Sequence, residues 1–255
     1  MPRVKAVTHE DRLTLVEHLD ELRNRLIVSL AVFGVALALC FWQNDLLLDI
    51  ANGPLPNDRD KLITLGVAEA FTTTLMVSAY SAILLSLPVL LYQIYAFIVP
   101  AFSDRERKVV TPLLLVVPLL FISGVVFAYF VVMPAATEFL LNFNDEQFVD
   151  AVRARDYYGF FVTTLLAVGL IFQIPTAILA VTRLGIVTPD QLAKNRRYAI
   201  LVIAVAAAAL PGVDPVTMLI EMVPLVILFE VSIVLARFFG RPEAGPVPEP
   251  STQGR

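Results

Sequence analysis

Six apolar runs, at about 26–43, 70–99, 109–133, 157–182, 198–210 and 216–236, constrain this chain more than any other feature. Most of them reach the roughly 20 residues that an α-helix needs to cross about 30 Å of hydrocarbon. In hydrocarbon the backbone has no water to bond, so each run must close its own hydrogen bonds as a helix. Composition agrees: 58% of residues are hydrophobic and 16% charged, against about 45–50% and about 25% in soluble domains. These features predict an all-α integral membrane protein with six transmembrane helices.

The fifth run is the exception. Tyr198–Leu210 holds 13 residues, or roughly 20 Å of helix. Such a segment spans only where the bilayer thins or its flanks snorkel. Short fifth and sixth helices are therefore expected, paired through the turn Pro211–Pro215, whose prolines and glycine cannot continue a helix. Residues 1–240 then form a single six-span membrane domain, and the Pro/Gly/Glu-rich residues 241–255 a disordered cytoplasmic tail.

An even number of spans places both termini on one side. Fifteen of the 19 Lys and Arg residues fall on that side, and only Arg59, Lys61, Arg153 and Arg155 on the other. By the positive-inside bias both termini are cytoplasmic. The first apolar run starts late and lacks a small-x-small site at its end, so a retained span is expected instead of a cleaved leader. The outer loops, about 44–69 and 134–156, are acidic and amphipathic, and Phe139, Leu140 and Phe143 suggest a short helix on the outer face.

Next to the first run lies its most distinctive neighbour, His18–Arg25. Arg23 and Arg25 supply the flanking charge that a span needs, but Asp20 and Glu21 serve no such purpose. Leu15, Leu19, Leu22 and Leu26 share one helical face, which predicts an amphipathic helix at the membrane surface. A solvated charged face is the plainer reading of these acids and bases.

Polar groups within the spans are functional candidates because lipid exposure is costly. Gln173 lies mid-span in the fourth run, and either lines a polar cavity or bonds a neighbouring helix. Glu69 lies near the outer end of the second run. Glu230 is expected to snorkel or pair with Arg237. Asp214 caps the outer 5–6 turn, where a helix N-cap is the plain reading. Glu221 has no partner legible in sequence. Pro88, Pro112, Pro118, Pro175 and Pro224 each free a carbonyl and favour kinked helices in a curved wall.

Catalysis finds little support. His9 and His18 lie outside the runs, and no hydrolase, zinc-protease or nucleotide-loop pattern occurs. No cofactor or metal is expected, and no basic cluster with interleaved aromatics suggests nucleic acid. Cys40 is alone, so no disulfide forms within the chain.

Several motifs, in order, resemble the TatC family, the multispanning receptor of the twin-arginine protein translocase. They are His18, Leu19, Glu21, Leu22, Arg23 and Arg25; then Pro88, Tyr92, Gln93, Tyr95, Phe97 and Pro100; then Glu106 and Arg107. Phe127–Pro134, Phe172 with Pro175, Pro211–Pro215, and Phe229 with Glu230 continue the series, so the resemblance covers about residues 12–240.

The resemblance implies a curved, concave wall of six helices in a bacterial cell membrane. It implies binding of twin-arginine signal peptides at the cytoplasmic face, for export of folded proteins driven by the proton-motive force. Partners would be TatA- and TatB-type single-span proteins and further copies of the chain. Glu21 and Glu106 match the family's acidic positions, where two carboxylates would read two guanidiniums. Arg23 would orient Glu21 or hold the site closed, and Phe97 and Pro100 would wall it. Asp214 matches a residue implied in translocation or partner contact. Many relatives carry glutamate where this chain has Gln173; an amide can dock a helix but cannot carry a titrating proton.

Two other readings compete. A proton-coupled carrier of a small solute would line its path with Gln173 and Glu221, but no inverted repeat is evident. An intramembrane protease would need an embedded Ser–His or Asp pair, and both histidines lie outside the runs.

Overall fold

The computed structural model describes residues 9–56, 62–98, 113–143, 151–183, 186–209 and 214–239. Pro100, Glu106, Pro112, most of the Pro211–Pro215 turn and the expected tail 241–255 lie outside them. The described residues are helical apart from turns and one backbone bridge. In chain order the helices are α1 His9–Trp42, α2 Asn44–Asn52, α3 Glu69–Ile98, α4 Leu113–Phe127, α5 Met133–Asn142, α6 Ala154–Ile171, α7 Ile174–Arg183, α8 Pro189–Lys194, α9 Arg196–Ala208 and α10 Pro215–Phe239.

Among the described residues five stretches are long and apolar enough to cross a membrane: His18–Trp42, Glu69–Phe97, Leu114–Asn142, Ala154–Thr182 and Pro215–Phe238. The fifth run of the sequence forms α9, which at 13 residues falls short of that length, as expected. The sixth does not share its shortness: α10 has 25 residues. Asp214 is the reason at one end. Its carboxylate accepts the Thr217 backbone N–H at 2.7 Å, so the helix starts at once after the turn.

Two further points concern boundaries. The His18–Arg25 segment is helical, as expected, and continuous with the first span. Between it and the first span no proline or glycine interrupts the ladder before Gly34, so α1 runs unbroken for 34 residues. The third span also does not stop at 133. A π-helical turn at Ala128–Val132 connects α4 to α5 and carries the helix to Asn142. Proline fits at the start of a helical stretch, where its missing N–H costs least. Pro134 stands there in α5, so it does not end the span. Phe139 and Leu140 thus belong to the third span's extension instead of a separate outer helix.

Prolines shape the remaining spans. Pro88, Pro118 and Pro224 lie inside α3, α4 and α10. Pro175 cannot donate to the Ile171 carbonyl, and the fourth span breaks there into α6 and α7. Packing proceeds from neighbour to neighbour. The first span rests on the second, the second on the third and fourth, and the sixth on α7 and α9. This succession from neighbour to neighbour among the described residues suits a wall.

Between the third and fourth spans the backbones nearly touch. A Cβ on Gly124 would lie 2.9 Å from the Gly169 Cα, and one on Gly169 would lie 2.7 Å from the Phe121 ring. Small residues allow such an approach where lipid offers no hydrophobic drive between helices. The main apolar core lies beside this crossing, around Phe161, Val162, Leu165, Val168 and Phe172.

Candidate functional site

On α1, His18, Glu21 and Arg25 are spaced three and four apart, so they share the helical face turned to α3. Arg25 holds Glu21: its Nε donates to Glu21 Oε1 at 3.0 Å and its Nη2 to the same oxygen at 2.6 Å. The other edge of the guanidinium reaches the second span. Nη1 donates to Gln93 Oε1 at 2.8 Å, and Nη2 to the Ala96 carbonyl at 3.4 Å. One turn away His18 stacks flat on Phe97, with ring centroids 4.3 Å apart and planes 13° from parallel.

Both guanidinium contacts with Glu21 use Oε1. Oε2 lies 3.8 Å from His18 Nδ1 and accepts no hydrogen bond among the described residues. The Glu21 side chain is 33% exposed, so this carboxylate is held by Arg25, partly withdrawn from water, and has one oxygen without a hydrogen-bond donor among the described residues. Such a carboxylate can accept a guanidinium or an ammonium from outside the chain.

Of the residues expected to form a site, Glu21 and Phe97 come together here. Pro100 and Glu106 lie outside the described residues. Arg23 is exposed and makes no ion pair or hydrogen bond among the described residues, where the arginine that holds Glu21 is Arg25. His18, Arg25 and Gln93 belong to the motifs read from the sequence yet were not singled out. The Glu21–Arg25 spacing was available as a signal; the link to Gln93, 68 residues away, was not.

Gln173 and Asp214 stand apart from this cluster. Gln173 is buried at the break in the fourth span, and its amide donates to the Val117 carbonyl of the third span at 3.2 Å. Its neighbour Thr176 accepts from Tyr95 Oη at 3.1 Å, linking the second and fourth spans. This is the helix-bonding alternative of the two raised for Gln173. Asp214 serves as the helix cap already described.

Two further carboxylates acquire partners. Glu230 pairs with Arg196 at 2.8 Å and not with Arg237, which pairs with Asp190 at 3.3 Å. Arg196 starts α9, which packs on α10, whereas Arg237 lies two turns beyond Glu230 on the same helix. At the opposite end of the spans Glu69 is sealed in. Arg153 Nε donates to its Oε1 at 2.6 Å, and the backbone N–H groups of Leu65 and Gly66 donate to its Oε2 at 2.8 and 3.0 Å. The same corner carries the backbone bridge between Ile63 and Arg153.

Comparison with known proteins identifies the architecture. The family model described as TatC, Sec-independent protein translocase protein, matches residues 17–224. The Sec-independent protein translocase protein TatC of Carboxydothermus hydrogenoformans is 36% identical over 231 residues, covering 90% of this chain and 95% of that protein. The chloroplastic protein of the same name from Arabidopsis thaliana is 35% identical, over 94% of this chain and 71% of its own. The crystal structure of a twin arginine translocase receptor, TatC, in DDM superposes with a TM-score of 0.74 at 33% identity, covering 88% of this chain and all of that one. The reading as a small-solute carrier finds no support in these relatives. With its multiple spans and this similarity along most of its length, the chain belongs to the TatC family of Sec-independent protein translocase proteins.

Proposed function

We propose that this translocase subunit binds the twin-arginine motif of signal peptides through Glu21, at the end of the first span that faces the cytoplasm. The observation that carries the reading is the Glu21 carboxylate, clamped through one oxygen by Arg25, with the other accepting no hydrogen bond among the described residues. A guanidinium fork docks on a carboxylate edge more selectively than an ammonium does. Arg25 supports that selectivity by removing rotamer freedom from Glu21 before the peptide arrives. His18 and Phe97 supply a flat, partly apolar flank for the peptide backbone. Arg23, Pro100 and Glu106 complete the site in this proposal, Glu106 as the second carboxylate.

The wider role follows from the same reading. Both termini face the cytoplasm of a bacterial cell. TatA- and TatB-type single-span helices, with further copies of the chain, assemble on the wall for export of folded proteins. Gln173 and Asp214 are contact points for translocation or for those partners. Gln173 gives one amide N–H to Val117, keeps the other for docking, and has its carbonyl oxygen 3.5 Å from the Thr176 hydroxyl. Gln173→Leu then impairs partner assembly more than Gln173→Glu does; the reverse ranking removes the docking role.

The direct test of the site is equilibrium binding of a labelled signal peptide to the purified chain in lipid nanodiscs. Glu21→Gln keeps the shape and removes the charge. Retained affinity for an Arg-Arg peptide in that variant contradicts the assignment.

A further inference from the structure

A second set of acidic and hydroxyl groups runs into the membrane on α10. Asp214, Thr217 and Glu221 lie three and four residues apart, within about 60° of one another around the helix at 3.6 residues per turn. All three are buried, at 4%, 0% and 3% exposure. Asp214 Oδ2, Thr217 Oγ1 and Glu221 Oε1 are each sealed off from the surface and have no hydrogen-bond partner among the described residues. Isolated hydroxyls on Thr73, Ser78 and Thr164 share that condition, but none of them belongs to such a line of acids.

Glu221 also borders a cavity of about 10 Å³, with Phe127 from the third span, Val168, Ile171 and Phe172 from the fourth, and Pro224 and Leu225 from its own helix. Apart from Glu221 the residues lining it are apolar, and neither Thr217 nor Asp214 is among them. Among the described residues the third- and fourth-span walls bring no charged or titratable group to it, and the charged neighbour along α10 is the acid Asp214. An ionised Glu221 would therefore stand in an apolar site without a cation. The cost of that arrangement is several kcal/mol.

The axial steps along the line are roughly 4.5 and 6 Å at about 1.5 Å per residue. Two hydrogen bonds of about 2.7–2.8 Å through one water cover such a step.

We infer that Glu221 is a membrane-embedded, exchangeable proton site, connected by water to the Asp214 end of α10 through Thr217. In an exchange the Glu221 hydroxyl proton passes to a water molecule. That water gives a proton to the Thr217 hydroxyl, which releases its own toward Asp214 and the bulk. Return of one proton along the same line restores the acid, and no other bond changes. The inference is independent of the peptide site: it concerns α10 and the third and fourth spans alone.

Infrared spectroscopy of the full chain in lipid nanodiscs tests this. A protonated-carboxyl C=O band that shifts on transfer to D₂O is expected, and Glu221→Gln should abolish it. Thr217→Val, which keeps the volume and removes the relay hydroxyl, should slow the shift by about tenfold, the factor worth about 1.4 kcal/mol. A spectrum unchanged by Glu221→Gln would show an ionised Glu221 and overturn the site. Exchange at the unaltered rate in Thr217→Val would overturn the route. The unsubstituted chain gives a second readout that needs no variant. An apolar carbodiimide, which attacks protonated carboxyls, should leave its adduct on Glu221 in peptide maps, and no adduct there would contradict the proposal.

Discussion

Glu21 and Glu69 are each gripped by an arginine nitrogen at 2.6 Å, yet the two pairs are built for opposite ends. Glu69 is 4% exposed, and both of its oxygens are taken, one by Arg153 and the other by two backbone N–H groups. It closes the corner where the second and fourth spans begin. Glu21 is 33% exposed and spends a single oxygen on Arg25, while the other accepts no hydrogen bond among the described residues. A short ion pair therefore does not define a role. The number of satisfied oxygens and the access of water separate a structural clasp from a receptor group.

Breaking the Glu69 clasp should produce the largest effect. Arg153→Met leaves the Glu69 carboxylate with two of its three donors and its Oε1 without one among the described residues, and an uncompensated carboxylate this enclosed is destabilising. The thermal unfolding midpoint of the purified protein should fall clearly. Glu69→Gln in the same background should restore part of the loss, because the uncompensated charge is then gone. No change in the midpoint would mean that the corner is hydrated and the clasp marginal.

At Glu21 the ranking of stability and binding should invert. Glu21→Ala is expected to weaken Arg-Arg peptide binding by about tenfold to a hundredfold, since hydrogen bonds to charged groups contribute about 1.5–3 kcal/mol. Its unfolding midpoint should barely move, because partly exposed pairs contribute about 1 kcal/mol or less. A large stability loss with unchanged peptide affinity would turn Glu21 into a second structural clasp.

Arg25→Lys sharpens the contrast further. It keeps the charge but cannot hold Glu21, Gln93 and the Ala96 carbonyl with one planar group. Peptide affinity should fall by less than in Glu21→Ala, and discrimination between Arg-Arg and Lys-Lys peptides should narrow. Equal discrimination in titrations with both peptides would separate Arg25 from recognition.

The smallest effect belongs to Glu230→Gln. Its pair with Arg196 is exposed on both sides, so the change in unfolding free energy should stay within about 0.5–1 kcal/mol.

Much of this arrangement was legible in the chain because membrane spans obey a local rule. Apolar length alone located six runs, and the 13 residues of the fifth announced its shortness. Boundaries were less legible where proline is ambiguous. Pro134 reads as an ending, but it stands at the start of a helical stretch that follows a π turn, and the third span goes on to Asn142. Asp214 was legible as a cap because its partner lies three residues away. Arg25 with Gln93, Glu69 with Arg153 and Glu230 with Arg196 were not, because 68, 84 and 34 residues separate the partners. Proximity in sequence favoured Arg237 for Glu230, and helix packing chose Arg196.

A photoreactive residue at position 24, exposed and three residues from Glu21, tests the receptor reading most directly because it leaves the carboxylate in place. The chain, in native membranes, is offered a signal peptide carrying either Arg-Arg or Lys-Lys. Crosslinking that requires Arg-Arg, and that disappears in Glu21→Ala, is the expected result. Equal crosslinking to both peptides, undiminished by Glu21→Ala, would contradict recognition of the two arginines at this carboxylate.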